Sequence, residues 1–99
     1  MDLVYATSYK TEKGLLVACC DEDCIGRTFR EGRLKLAPES TFYGSAVVGL
    51  TEAVVLMVGA DMLNLVGRKV VDAAINNGLV HPDAVITIAG VPHVQVMKL

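Results

Sequence analysis

The chain has 99 residues, enough for one domain and too short for a second core. Just over half of it, 53%, is hydrophobic, so a core can be filled without a disulfide or metal staple. Nine Lys and Arg against eleven Asp and Glu leave a net charge of −2, which argues against a general nucleic-acid binder and leaves room only for a local basic patch.

Met1-Asp2-Leu3-Val4-Tyr5 lacks the basic region and long apolar run of a secretion signal. The three cysteines are an odd number crowded between positions 19 and 24, which is no secreted disulfide framework, so a cytoplasmic location is expected. The apolar stretch over residues 44–60 carries Glu52 and is interrupted by Gly44, Gly49 and Gly59. It falls short of the roughly 20 apolar residues a membrane span needs, so no membrane association is expected.

In chain order, residues 3–9 are rich in Val, Tyr and Thr and predict a strand, Thr11-Glu12-Lys13-Gly14 a turn, and residues 15–20 a second strand completing a hairpin. Residues 21–26 predict a loop or a single helical turn capped by Asp21. Arg33-Leu34-Lys35-Leu36 alternates charge with Leu, as a strand with one wet face does, and Pro38 ends it. Thr51 is an expected N-cap for a helix over residues 52–58, apolar nearly all round. Asp61 is an expected cap for a second helix reaching about Asn77, because Leu63, Val66, Val70, Ala73 and Ala74 recur at three- and four-residue steps. Gly78 supplies its left-handed stop. Gly67 inside that helix would cost ~1 kcal/mol against Ala, which implies close approach of another backbone. His81-Pro82-Asp83 reads as a turn, residues 85–89 as a strand, Gly90-Val91-Pro92 as a loop and residues 93–98 as a last strand. The expected fold is a single α+β domain over residues 1–99. It is a two-layer sandwich of a mostly antiparallel four- to five-stranded sheet, with two helices inserted before the C-terminal hairpin.

Several ordered phrases carry a family resemblance. They are Cys20-Asp21-Glu22-Asp23-Cys24-Ile25-Gly26-Arg27-Thr28-Phe29, Glu31-Gly32-Arg33-Leu34-Lys35-Leu36, Phe42-Tyr43-Gly44, Asn64-Leu65-Val66-Gly67, Gly78-Leu79-Val80 and Gly90-Val91-Pro92-His93-Val94-Gln95-Val96. Through them the chain resembles the archaeal domain-of-unknown-function 424 family along nearly its whole length. The resemblance implies a fold and an archaeal origin and no reaction. The chain departs from the family pattern at Cys19 and Cys24, where relatives usually carry an aliphatic residue. It departs again after Gly44, where Ser45 and an apolar run replace a glycine and an acidic run.

Three readings of function follow from the residues. In the first, the chain is a non-enzymatic binding module whose partner is RNA or the ribosome. Arg27, Arg30, Arg33 and Lys35 stand against Glu31 and Glu39 in one segment, with Phe29, Phe42 and Tyr43 interleaved. Guanidinium on phosphate and ring on base is how such a surface holds RNA. The binding candidates are therefore Arg27, Arg30, Arg33, Phe42 and Tyr43; the competing reading packs the aromatics in the core and leaves the arginines solvated. In the second, a small enzyme or ligand-binding protein gathers Cys20, Asp21 and His93 into one pocket as nucleophile, orienter and base. In the third, the chain is a structural homo-oligomer. Its homodimer interface is the stretch that opens at Val47 and closes at Ala60, because Val54, Val55, Leu56, Met57 and Val58 point all around a helix.

No residue is assigned a catalytic role in the leading reading. No metal site is expected: Cys19, Cys20 and Cys24 lack the repeated pairing of a zinc site, and His81 and His93 stand apart. No cofactor is expected either, since no glycine-rich phosphate loop is present. The phrase from Asn64 to Arg68 is a site or a packing device; a buried Asn64 would need partners for its amide, and packing is the expected role.

Overall fold

The computed structural model describes residues 2–98; Met1 and Leu99 lie outside them. The elements run β1 (Leu3–Thr11), β2 (Gly14–Asp21), β3 (Phe29–Glu31), β4 (Leu34–Leu36), α1 (Ser40–Tyr43), β5 (Val47–Gly49), α2 (Leu50–Val58), β6 (Met62–Val66), α3 (Arg68–Asn76), a 3-10 turn (Pro82–Ala84), β7 (Ile86–Ile88) and β8 (Val91–Met97).

The architecture is mixed α and β. Its main sheet has six strands in the order β5-β1-β2-β6-β8-β7, and β3 and β4 form a separate two-stranded hairpin. The expected four to five strands are thus too few. The pairings in the sheet are antiparallel except for β2 with β6, which run parallel. A parallel pair needs a long crossover. Here it holds the hairpin, α1, β5 and α2.

The expected helix from Asp61 to Asn77 is in fact a strand followed by a helix. Residues 62–66 alternate: Leu63 and Leu65 enter the core, while Met62 and Asn64 face the other side. Gly67 then turns the chain at φ 112, and α3 follows. The positions counted as one helical stripe join a strand's period to a helix's, a confusion to which short apolar runs are prone. The two expected caps also differ. Gly49 precedes α2 and Thr51 lies inside it. Asp61 accepts from the Leu15 backbone N–H across 2.8 Å, tying β2 to the start of β6.

One sheet face is closed by α2 and α3. Val4, Val17, Cys19, Leu63, Leu65 and Val94 meet Ala53, Met57, Val70, Val71 and Ala74 there, all buried. Each large side chain among them contributes about 1.5–3 kcal/mol by leaving water. The opposite face is covered at one end only. Phe29 and Leu36 of the hairpin and Tyr43 of α1 lie over Ala18, Cys20, Val66 and Ile88. This partial third layer is absent from the expected two-layer sandwich, because a three-residue strand such as β3 carries too little period to read.

The covering hairpin is tied down through the β7–β8 turn. Ala89 and Gly90 sit there at φ 52 and 81, both left-handed, which suits a two-residue turn and strains only the alanine. The Ala89 N–H donates to the Glu31 carboxylate across 2.8 Å and fixes hairpin to sheet.

Candidate groove on the open sheet face

Strand register sorts the half-covered face into rows. Tyr5, Cys20, Val66, His93 and Ile86 form one, Thr7, Ala18, Asn64 and Gln95 the next, and Tyr9, Leu16, Met62 and Met97 the third. The hairpin and α1 cover the first row's centre. From the second row outward the face opens into a groove. A cavity of about 350 Å³ between β8 and residues 35–43 is lined by Lys35, Glu39, Thr41, Tyr43, His93 and Gln95. It continues past Gln95 into one of about 320 Å³ floored by Leu16, Met62, Asn64 and Met97.

The polar groups here are held from behind. Alternation along β8 sends Val94 and Val96 to the core and turns His93 and Gln95 to the groove. His93 Nδ1 lies 2.8 Å from the Leu65 carbonyl. A carbonyl only accepts, so Nδ1 carries a proton and donates to it. Tyr43 is buried, and its hydroxyl donates to Asn64 Oδ1 across 2.6 Å. Burial pushes the Tyr43 phenol well above its ordinary range, so it stays protonated. Thr7 Oγ1 donates to the Tyr43 carbonyl across 2.9 Å, the Tyr9 hydroxyl donates to the Phe42 carbonyl, and the Tyr9 and Phe42 rings stack with centroids 5.5 Å apart. These bonds account for the Phe-Tyr-Gly phrase: it pins α1 to β1.

Of the basic residues, Lys35 lines the groove, and the others lie on the hairpin and the loop before it. Arg30 and Lys35 face each other across the hairpin on the side away from Phe29 and Leu36, and Arg33 follows its turn. Arg27 donates to the Asp23 carbonyl across 3.2 Å and lays its guanidinium 5.0 Å from the Phe29 ring centroid. All four cations are exposed, and none makes a side-chain ion pair among the described residues. The aromatics do not join them on the surface: Phe29 and Tyr43 are buried and Phe42 is half-buried against Tyr9.

Cys20, Asp21 and His93 are not brought together. Adjacent residues of a strand point to opposite faces, so Cys20 lies under the hairpin and Asp21 on the helix side. Cys20 and His93 share a row two strands apart, about 10 Å, with Val66 between them. Asp21 is 3% exposed and accepts from the Lys69 and Val70 N–H groups at the start of α3, across 2.8 and 3.0 Å. It thus caps a helix in another part of the chain, not its own turn. Burial pushes its carboxyl above the ordinary range while the two amide bonds pull it back. Gly67 makes the room, since a Cβ there would stand 2.3 Å from the Asp21 carboxyl carbon. The close approach expected at Gly67 is therefore that of a side chain.

Cys19, Cys20 and Cys24 are free and buried. Desolvation raises all three thiols, Cys19 and Cys24 to about 12, the opposite of what a thiolate nucleophile needs. Among the described residues no group of three or more His, Cys, Asp or Glu is placed to hold a metal ion. No helix is long and apolar enough to cross a membrane.

Two groove residues are absent from the candidates read from the sequence: Gln95, and Asn64, which lines the floor. The polar pair His93 and Gln95, alternating with Val94 and Val96, was the available signal. Asn64 was hidden by its placement in a helix.

The family described as "Protein of unknown function (DUF424)" matches residues 9–99. A solved structure, described as that of an uncharacterised conserved protein from Methanopyrus kandleri, shares the fold with a TM-score of 0.79 and 21% identity. The match covers 98% of this chain and 94% of that one. No curated protein matches the chain.

Proposed function

The chain belongs to the DUF424 family, whose description names no activity, and from the groove itself we propose a non-enzymatic module that binds single-stranded RNA. The observation that carries this reading is the set of exposed cations around one hairpin, Arg27, Arg30, Arg33 and Lys35, none in a side-chain ion pair among the described residues, with Lys35 lining the groove beside β8. Phosphates neutralise those cations, and a base laid in the groove meets Asn64, His93 and Gln95 along its edge. Net charge does not oppose this, because the positive patch is local. The buried, free thiols agree with a reducing archaeal cytoplasm as the place of work.

The test is anisotropy of a labelled single-stranded RNA titrated at 50 to 200 mM salt. Affinity should fall steeply with salt. Arg30→Ala and Lys35→Ala should each flatten the log–log slope by about 0.7, the share of one phosphate contact on a single strand. Absence of binding at the lowest salt would overturn the reading. Sedimentation with ribosomal subunits, lost on ribonuclease treatment, would identify ribosomal RNA as the source of the strand.

A second reading has its own observation. Val55 and Val58 on the outer side of α2 are 67% and 59% exposed. A second copy of the chain packed on this stripe would bury them. A mass from light scattering equal to one chain at high concentration rejects this reading.

A further inference from the structure

We infer that the open half of the β8 edge binds an extended peptide segment of a partner protein, which adds to the sheet as a strand opposite Gln95 and Met97. The inference does not rest on the RNA reading. Main-chain groups alternate sides along a strand. The Pro92 carbonyl accepts from the Gly67 N–H across 2.9 Å, and the Lys98 N–H donates to the Asp61 carbonyl across 2.7 Å. In that alternation Val94 and Val96 also turn their groups to β6, and His93, Gln95 and Met97 turn theirs to the other side. Those of His93 face Ile86, the first residue of β7. Those of Gln95 and Met97 have no partner among the described residues.

The chain's own continuation does not fill the place. A β7 extended in register would set Ala84 opposite Gln95 and Pro82 opposite Met97. It is broken there by the 3-10 turn, in which the Asp83 N–H donates to His81 Nδ1 across 3.0 Å and the Ala84 N–H to the His81 carbonyl. A cavity of about 240 Å³ lined by Ala84, Ile86, His93, Val94 and Gln95 is left beside β8.

Free strand edges are ordinarily guarded by shortness, a charge or a proline. β5 and β7 have three residues each, and the stretch of β1 beyond the Ala6–Ala46 bond carries the exposed Lys10. Residues 94–97 have neither charge nor proline, and Ile86 and Met97, 49% and 52% exposed, flank Gln95 on the open face. What fits is a main chain offering donors and acceptors at strand spacing, with apolar side chains on alternate residues towards Ile86 and Met97. The β8 of a second copy does not fit. The antiparallel register that pairs Gln95 with Met97 in both directions sets Lys98 of one copy opposite Val94 of the other, where Val85 already stands next to Ile86. Lys98 cannot yield, because its N–H is held by Asp61 and its ammonium by the Met57 and Val58 carbonyls.

The experiment titrates a capped peptide alternating threonine with valine into the isotope-labelled chain. The Gln95 and Met97 amide protons should move downfield and exchange more slowly, while those of Val94 and Val96, already bonded to β6, stay. N-methylation of the valines, whose N–H groups face β8 when their side chains meet Ile86 and Met97, should weaken binding at least about 5-fold, the worth of one hydrogen bond. N-methylation of the threonines should not. Gln95→Pro removes an outward N–H and no bond to β6, so it should lose the peptide and keep the Val94 and Val96 amides where they are. The peptide is uncharged, so its affinity should be the same at 50 and 200 mM salt, where RNA affinity falls, and the two proposals stand or fail separately. Gln95 and Met97 amides that do not move at millimolar peptide overturn the inference, and so does equal affinity for the unmodified and the valine-methylated peptide. Movement of the same amides on concentrating the chain alone would make the occupant a second copy and overturn it as well.

Discussion

The two faces of the sheet are built from the same strands and finished differently. On the helix side Leu63, Leu65, Val94 and Cys19 are closed over by α2 and α3, and the buried carboxyl of Asp21 accepts from two helix N–H groups. On the other side the alternate residues of the same strands include Asn64, His93 and Gln95 beside Leu16, Met62 and Met97, and the cover stops short of the last row. A protein that needed only to fold would put apolar residues at the three polar positions and extend the cover. Stability is concentrated on the first face, and recognition, in our proposal, on the second. Substitutions should separate the two.

The largest effect is expected on the closed face. Leu65→Ala empties a fully buried site and should cost about 2–5 kcal/mol, read from the urea midpoint, with affinity for RNA unchanged in the molecules still folded. Gln95→Ala on the open face should change stability by less than about 0.5 kcal/mol and weaken RNA binding. If both lose stability alike, the division between the faces fails.

Next comes the buried cap. Asp21→Ala leaves the Lys69 and Val70 N–H groups without their acceptor at the start of α3. The expected cost is about 1–3 kcal/mol, the price of stranding buried donors. A catalytic Asp21 would instead lose an activity with its stability intact, so the urea midpoint distinguishes the two roles.

The thiols provide a smaller, pH-dependent test. Unfolded, they ionise from about 9, whereas Cys19 and Cys24 keep their protons to about 12 in the folded chain. Between those values the folded state binds more protons, so their contribution is fully present below pH 9 and is lost as pH rises towards 12. By pH 10 the loss should be about 1 kcal/mol for each such thiol. Cys19→Val should remove its share of the alkaline slope in denaturation series at pH 8 and pH 10. A stability that stays level over that interval would mean the thiols ionise at the same pH in the fold as in the unfolded chain.

What could be read from the residues follows the strength of their periods. The hairpin of β1 and β2, the stop at Gly78 and the strand of residues 93–98 carry strong alternation or turn chemistry, and they stand close to where the sequence places them. The region around Asn64 does not, because five residues of β6 followed by α3 imitate one amphipathic helix. That single misassignment hid both the parallel pairing in the sheet and the central polar residue of the groove. The Cys20, Asp21 and His93 grouping fails for a related reason. Neighbours in sequence on a strand face opposite ways, and how far His93 stands from Cys20 depends on a strand order that no local pattern reveals. The basic segment was legible as composition, and its aromatics were not, since burial of Phe29 and Tyr43 depends on the sheet beneath them.

The smallest effect is the sharpest test of the comparison. Arg30 and Lys35 stand directly opposite each other on β3 and β4, two like charges across a three-residue ladder. Such pairs are unfavourable by a few tenths of a kcal/mol. Arg30→Glu replaces repulsion by attraction and should stabilise the chain by about 0.2–0.5 kcal/mol, visible as a small rise in the urea midpoint. The same change puts a negative charge beside Lys35 on the outer face of the hairpin, where we propose a phosphate sits, and should weaken RNA binding more than Arg30→Ala does. Stability and binding then move in opposite directions at one residue, as expected where a charge is kept for a partner at the fold's expense. A rise in stability with RNA affinity unchanged would show that the hairpin's cations serve neither the fold nor this ligand.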